Sequence, residues 1–168
     1  MHTKSHRFQW LLLYFSMNYN SLNIFNFINN KVYAAGGKEV ESSVSTNTEA
    51  TGTEMVELLA RLINGEARGE PYQGMVAVAA TVLNRVADSR FPNTIAGVIY
   101  QSGAYTCVSD GQINLTPNEQ SKKAAQDAIN GWDPTYGCIY YFNPSTATSK
   151  WIWSRPQVMT IGKHIFCK

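Results

Sequence analysis

Apolar residues begin to recur at helical spacing shortly after residue 50. Met55, Leu58, Leu59, Leu62 and Ile63 fall on one face of a helix. Thr51 and Glu54 have the spacing of a capping box that would start it. Pro71 is placed to open a second helix, whose stripe runs through Met75, Val76, Val78, Ala79, Val82, Leu83 and Val86. Its small residues, Gly74, Ala77, Ala79 and Ala80, would let another backbone approach closely. A short helix is expected within residues 92–100. A fourth is framed by a second capping box, Thr116 to Glu119 with Pro117 at the first helical position, and by Gly131 as its stop. Beyond Gly131 the pattern turns strand-like. Residues 138–142 are β-branched and aromatic, while residues 157–161 and 164–167 flank Gly162-Lys163, a pair suited to a two-residue hairpin. About four helices followed by a small antiparallel sheet make an α+β domain over residues 54–168. No internal repeat is present.

Residues 1–53 read differently. A basic stretch (His2, Lys4, His6, Arg7) precedes a short apolar run at residues 10–15, then an Asn-rich stretch, then Val32-Tyr33-Ala34-Ala35. Charge, apolar run and small-residue site are the parts of a secretory signal, so export is expected, although the Asn-rich stretch separates the run from the small residues; a disordered tail or a start codon placed too early is the competing reading. Residues 37–53, rich in Gly, Ser, Thr, Glu and Asn, look like a linker.

Composition mainly excludes. The chain has 168 residues, enough for one ordinary domain; 44% are hydrophobic and 15% charged, so a core can form. The net charge is +2 and no basic run exceeds Lys122-Lys123, which argues against a nucleic-acid partner. No apolar stretch reaches the ~18 residues of a transmembrane helix. Three dispersed cysteines (Cys107, Cys138, Cys167) and three histidines (His2, His6, His164) lack the close pairing of a zinc site, so no metal is expected. One disulfide with an odd thiol, or three buried thiols, would both fit.

Chemistry concentrates at residues 64–71, Asn-Gly-Glu-Ala-Arg-Gly-Glu-Pro. Glu66 follows Leu59, Leu62 and Ile63 by seven, four and three residues, so it prolongs the apolar stripe of the first helix. A carboxyl group at the end of a core-facing stripe is partly desolvated, which disfavours its charged form and suits a general acid. The competing reading is a structural ion pair with Arg61, Arg68 or Arg85. Glu70 is explained by its place before Pro71, as an acidic residue at a helix N-terminus. Of the nine Asp and Glu residues from Glu54 onward, Glu66, Glu70 and Asp110 remain as plausible site carboxylates. Asp110 could supply the second carboxylate of a two-carboxylate glycosidase, or could simply form an Asp-Gly turn. Aromatic residues crowd the last third beside amides and hydroxyls, a mixture that suits sugar faces or a sheet core. Trp151 and Trp153 alternate with Ile152 as in a strand and so share a face, either exposed or packed.

From about Val56 to Lys168 the chain resembles the catalytic domain of SleB-type cell wall hydrolases, the spore cortex-lytic enzymes. The resemblance rests on residues 59–72 (Leu-Ala-Arg-Leu-Ile-Asn-Gly-Glu-Ala-Arg-Gly-Glu-Pro-Tyr), 74–85, 91–101, 110–112, 128–134, 151–156 and 161–167. It implies a lysozyme-like fold, mainly helical with a small antiparallel sheet. It also implies lytic transglycosylase action on peptidoglycan, at the link from muramic acid to N-acetylglucosamine in cortex containing muramic-δ-lactam. Glu66 corresponds to the family's catalytic acid. Tyr105, Asp110, Gln112, Tyr140, Tyr141, Trp151 and Trp153 are candidate glycan contacts. No cofactor is implied; the expected partners are cortex glycan and a spore regulatory protein, for a monomer exported to the spore cortex. The sequence departs from the pattern in two places. Residues 1–53 are too short for the family's N-terminal peptidoglycan-binding domain, which leaves a general wall hydrolase open. Cys107 stands where a small residue such as Ala is expected. One acid suffices for such a reaction, because the sugar's own C6 hydroxyl attacks. The rivals are a hydrolytic muramidase using Glu66 with Asp110 or Glu70, a non-catalytic peptidoglycan-binding module, and an amidase or peptidase, for which the sequence hardly supplies zinc ligands or a nucleophile system.

Overall fold

A computed structural model describes the chain from residue 44 to residue 168, with side chains from residue 52. The signal-like features of residues 1–35 lie outside the described residues.

Helix α1 (Val44–Glu66) carries the first apolar stripe, with Leu59, Leu62 and Ile63 fully buried. It starts seven residues before Thr51, inside the stretch expected to be a linker. Once a helix is anchored by packing, each further residue adds one hydrogen bond, and residues 44–50 contain no Pro or Gly to stop it. Helix α2 (Tyr72–Ala87) begins one residue after Pro71 and is buried all round from Gly74 to Leu83, as its small residues allow. Helix α3 (Ile95–Ile99) is capped by the Thr94 side chain, which accepts from the Gly97 amide at 3.0 Å. Helix α4 (Thr106–Ser109) and a 3₁₀ turn at Gln112–Asn114 were not expected from periodicity, which a single turn cannot display.

Helix α5 (Glu119–Ile129) corrects the second capping box. Asn118, not Thr116, is the cap, and its Oδ1 accepts from the Ser121 amide at 2.8 Å. Asn caps more strongly than Thr, and Pro117 falls outside the helix. Gly131 sits just beyond the end at φ +100°, the left-handed conformation of a helix stop. Through the small buried residues Ser121, Ala124, Ala125 and Ala128, α5 packs against both α1 and α2.

Strands β1 (Tyr140–Phe142), β2 (Gln157–Ile161) and β3 (His164–Cys167) form an antiparallel sheet in the order β1-β3-β2. Gly162, at φ +58°, and Lys163 make the two-residue turn of the β2–β3 hairpin, as the sequence predicts. The tryptophan segment is a correction: Lys150–Trp153 is a short helix, α6, not a strand. With four residues the two periods are nearly indistinguishable in sequence, and packing decides. Trp151 meets Tyr140 edge-on at 5.1 Å and Trp153 meets Phe142 at 4.8 Å, so α6 lies along β1. Both tryptophans are packed on one side and still about half exposed. The result is α+β, helical first and with the sheet at the C-terminal end.

Candidate active site

Glu66 is the last residue of α1, and three elements converge on it. Gly65, just before it, has no Cβ, and a Cβ built there would stand 2.5 Å from Cys107 Cβ. This close approach brings α4 against the end of α1. The Cys107 amide lies in the first turn of α4, where no helical carbonyl can accept it, and it donates to Glu66 Oε1 at 2.9 Å. From β1 the Tyr141 hydroxyl donates to Oε2 at 3.3 Å. The carboxyl group is only partly buried. None of the arginines that could have paired with it does so. Arg61 is bonded to Glu57 and the Asn114 carbonyl, Arg85 to Tyr105 and the Ile139 carbonyl, and Arg68 is exposed.

Tyr141 is held as a neutral donor. Burial pushes its hydroxyl well above the usual phenol range, and the nearby Glu66 charge adds to this. Its ring is packed against Phe166 at 5.8 Å and His164 at 5.1 Å. Tyr105 is 4% exposed and accepts from Arg85 Nη1 at 3.1 Å. Burial raises it to about 12, with Arg85 opposing. Tyr105 is therefore corrected from a glycan contact to a support, because its ring has almost no surface left to offer. The Arg85 guanidinium in turn lies 5.3 to 5.5 Å from the ring centres of Phe91, Tyr105 and Tyr140.

The other candidates divide. Asp110 accepts from the Gln112 amide at 3.0 Å and from Gln112 Nε2 at 2.7 Å, and these bonds hold its carboxyl below the usual range. With Gly111 at φ +83° this is the Asp-Gly turn. Gln112 also flanks Gly65, next to the acid. Tyr140, Trp151 and Trp153 form a partly exposed aromatic row along β1 and α6. Glu70 departs most from its sequence reading. Its side chain is only 6% exposed, and Oε2 accepts from the Lys163 amide at 2.8 Å, so it ties the hairpin turn to the start of α2.

Sequence reasoning missed the Cys107 amide and the Arg85 cage. No residue type announces a backbone donor, and the cage joins α2, the loop that follows it, β1 and the 100–105 segment. It also left the cysteines open: all three are buried free thiols. Burial raises Cys107 to about 12 and Cys138 to about 11, and raises Cys167 as well. Since the thiolate is the reactive form, a disulfide-exchange reagent at pH 8 should label the native protein at under about a tenth of its thiols, and all three after denaturation. Rapid native labelling would contradict this packing.

Among known proteins, the family profile described as Cell Wall Hydrolase matches residues 69–167, starting three residues after Glu66. The spore cortex-lytic enzyme of Bacillus cereus is 66% identical over 113 residues, covering 67% of this chain and 44% of that protein. This chain thus spans less than half the length of that enzyme. The crystal structure of the catalytic domain of the Bacillus cereus SleB protein aligns with a TM-score of 0.66 at 64% identity, over 69% of this chain and 91% of that one. The catalytic domain of a germination-specific lytic transglycosylase, SleB from Bacillus anthracis, aligns with a TM-score of 0.65 at 65% identity, over 67% and 93%.

Proposed function

This chain belongs to the cell wall hydrolase family, and from that premise we propose that its folded domain cleaves the glycan strands of peptidoglycan, in the spore cortex during germination, as a lytic transglycosylase. Glu66 is the single acid and base. Its carboxyl proton passes to the glycosidic oxygen as the bond from muramic acid C1 to N-acetylglucosamine breaks. The resulting carboxylate then takes the proton of the same muramic acid's C6 hydroxyl, whose oxygen closes on C1 as a 1,6-anhydro ring. Glu66 ends protonated and no water is consumed. Ring closure within one sugar gains from proximity, so no second carboxylate is needed to activate a nucleophile.

The observation that carries this reading is the setting of Glu66. Glu66 is partly exposed, with one carboxyl oxygen on a backbone amide and the other on a neutral phenol, and it has no arginine partner among the described residues. The remaining carboxylates support a one-acid scheme, since Glu70 is committed to the hairpin and Asp110 to its own turn. Tyr140, Trp151, Trp153 and Gln112 offer the faces and amide for glycan contact. Acting on cortex would require the domain to be exported, a requirement that the signal-like segment at residues 1–35 would serve.

Digestion of purified cortex followed by mass spectrometry tests the chemistry. The expected fragments end in 1,6-anhydromuramic acid, one water lighter than hydrolysis products. Asp110→Asn should slow cleavage by less than about tenfold, because its carboxyl group serves its own turn and takes no part in proton transfer. Reducing-end products, together with a loss of about a thousandfold in that variant, would instead establish a two-carboxylate muramidase.

A further inference from the structure

Behind Tyr141 lies a histidine that the proposed chemistry does not use. His164 stands on β3 two residues before Phe166, and Phe166 is the cross-strand partner of Tyr141. Alternation along the strands therefore puts all three rings on one face of the sheet. The His164 ring meets Tyr141 nearly edge-on, with centres 5.1 Å apart at 73°, and lies 6.4 Å from Phe166. Its side chain is 10% exposed. Nδ1 is buried without a hydrogen-bond partner among the described residues. It stands 4.0 Å from Glu70 Oε2, an oxygen already bonded to the Lys163 amide. A buried nitrogen left in this way is unfavourable, and a phenylalanine ring would fill the space without that cost. Packing alone does not account for an imidazole here.

We propose that His164 is a positioning residue for the Glu66 reaction: its neutral imidazole, set between Glu70 and Tyr141, holds the tyrosine ring where its hydroxyl reaches Glu66. This rests on Glu66 being the acid. The Tyr141–Glu66 contact is 3.3 Å, long for a hydroxyl donor, so a small tilt of the ring breaks it. The groups that face the imidazole are Glu70 from the start of α2, Glu66 from α1, Lys163 from the hairpin turn and Tyr141 from β1. Burial lowers the affinity of His164 for a proton, more than the two glutamates raise it, and Lys163 adds to the lowering. The ring is therefore neutral at pH 7 and takes a proton only below its usual range near 6.5. The imidazolium would close on the Glu70 carboxylate and draw away from Tyr141, so activity should fall on the acid side.

Turnover of soluble cortex glycan strands by wild type, His164→Ala, His164→Phe, Tyr141→Phe and the His164→Ala/Tyr141→Phe pair tests this, with the folded fraction of each followed by circular dichroism. His164→Ala should lower kcat by about 10- to 100-fold with KM within about threefold, as a displaced positioning group does. In the Tyr141→Phe background the same change should cost less than about twofold more, because the contact is already gone. His164→Phe keeps the ring and cannot take a proton. It should retain kcat within about fivefold at pH 7.5 and lack the acid-side loss. Equal losses with and without the Tyr141 hydroxyl, or unchanged kcat per folded molecule in His164→Ala, would overturn the proposal. So would an acid limb that persists in His164→Phe. A readout independent of activity is the ring carbon resonance of Tyr141 in protein with ¹³C-labelled tyrosine. It should move between pH 7.5 and 5 in wild type but not in His164→Phe, and a resonance that ignores His164 sinks the coupling. If it responds while Glu66→Gln remains active, the coupling stands and the assignment of the acid fails.

Discussion

Glu66→Gln should reduce cleavage of cortex glycan by about a thousandfold or more, with the fold unchanged. General acid–base catalysis by one placed group contributes about 10²- to 10⁴-fold, and here the same group serves both proton transfers. A thousandfold loss is about 4 kcal/mol of transition-state stabilisation. Gln is nearly isosteric, and its carbonyl oxygen can still accept from the Cys107 amide, the shorter of the two bonds to Glu66. What it lacks is a transferable proton. Thermal unfolding within a few degrees of wild type, together with glycan release too slow to measure above background, is the expected pair of results. Substantial activity in this variant would remove Glu66 from the reaction, and with it the one-acid scheme.

The second large effect concerns Gly65. An alanine there adds one methyl group, which in an exposed helix favours folding by up to about 1 kcal/mol. Here the methyl carbon would stand 2.5 Å from Cys107 Cβ and 3.1 Å from its sulfur. The Cβ is fixed to backbone, so α4 must move. We expect Gly65→Ala to lose about 1–3 kcal/mol of stability, the usual cost of overpacking. We also expect cleavage to fall about 10- to 100-fold, because the shift carries the Cys107 amide away from Glu66 Oε1. Cys107→Gly removes the obstructing atom and keeps the amide, so the double variant should recover much of both losses. A coupling of about 1 kcal/mol or more in that cycle, from melting curves and initial rates, would establish the contact as the cause. A Gly65→Ala protein with normal melting and full activity would show that α1 and α4 are not pressed together. The same contact explains why a small residue is expected at position 107, and why cysteine, a small side chain with a buried thiol, is accommodated.

Much of the architecture is legible in the residue pattern because its main elements are long enough to show a period. The stripe from Met55 to Ile63, the buried second helix and the Gly162-Lys163 turn all follow from local chemistry. The failures fall where local chemistry is ambiguous. Helix α1 runs on through polar residues that read as a linker. The cap of α5 moves from Thr116 to Asn118, two residues with similar side-chain acceptors. The tryptophan segment is one helical turn, too short for its alternation to mean a strand. Glu70 reads as a helix-terminal charge because its partner, the Lys163 amide, lies 93 residues further on.

The sequence alone determined that this is a helical domain with a small C-terminal sheet, that Glu66 ends a core-facing stripe, and that acids suited to a second catalytic role are scarce. Each of these depends on spacing within one segment, and spacing is written in the chain. Only the tertiary structure decided what surrounds that carboxyl group. An amide 41 residues away and a phenol 75 residues away reach it, while Arg85 turns to Tyr105 and leaves it unpaired. Those choices depend on how α1, α4 and β1 pack together, and long-range packing leaves no periodic trace in the segments it joins.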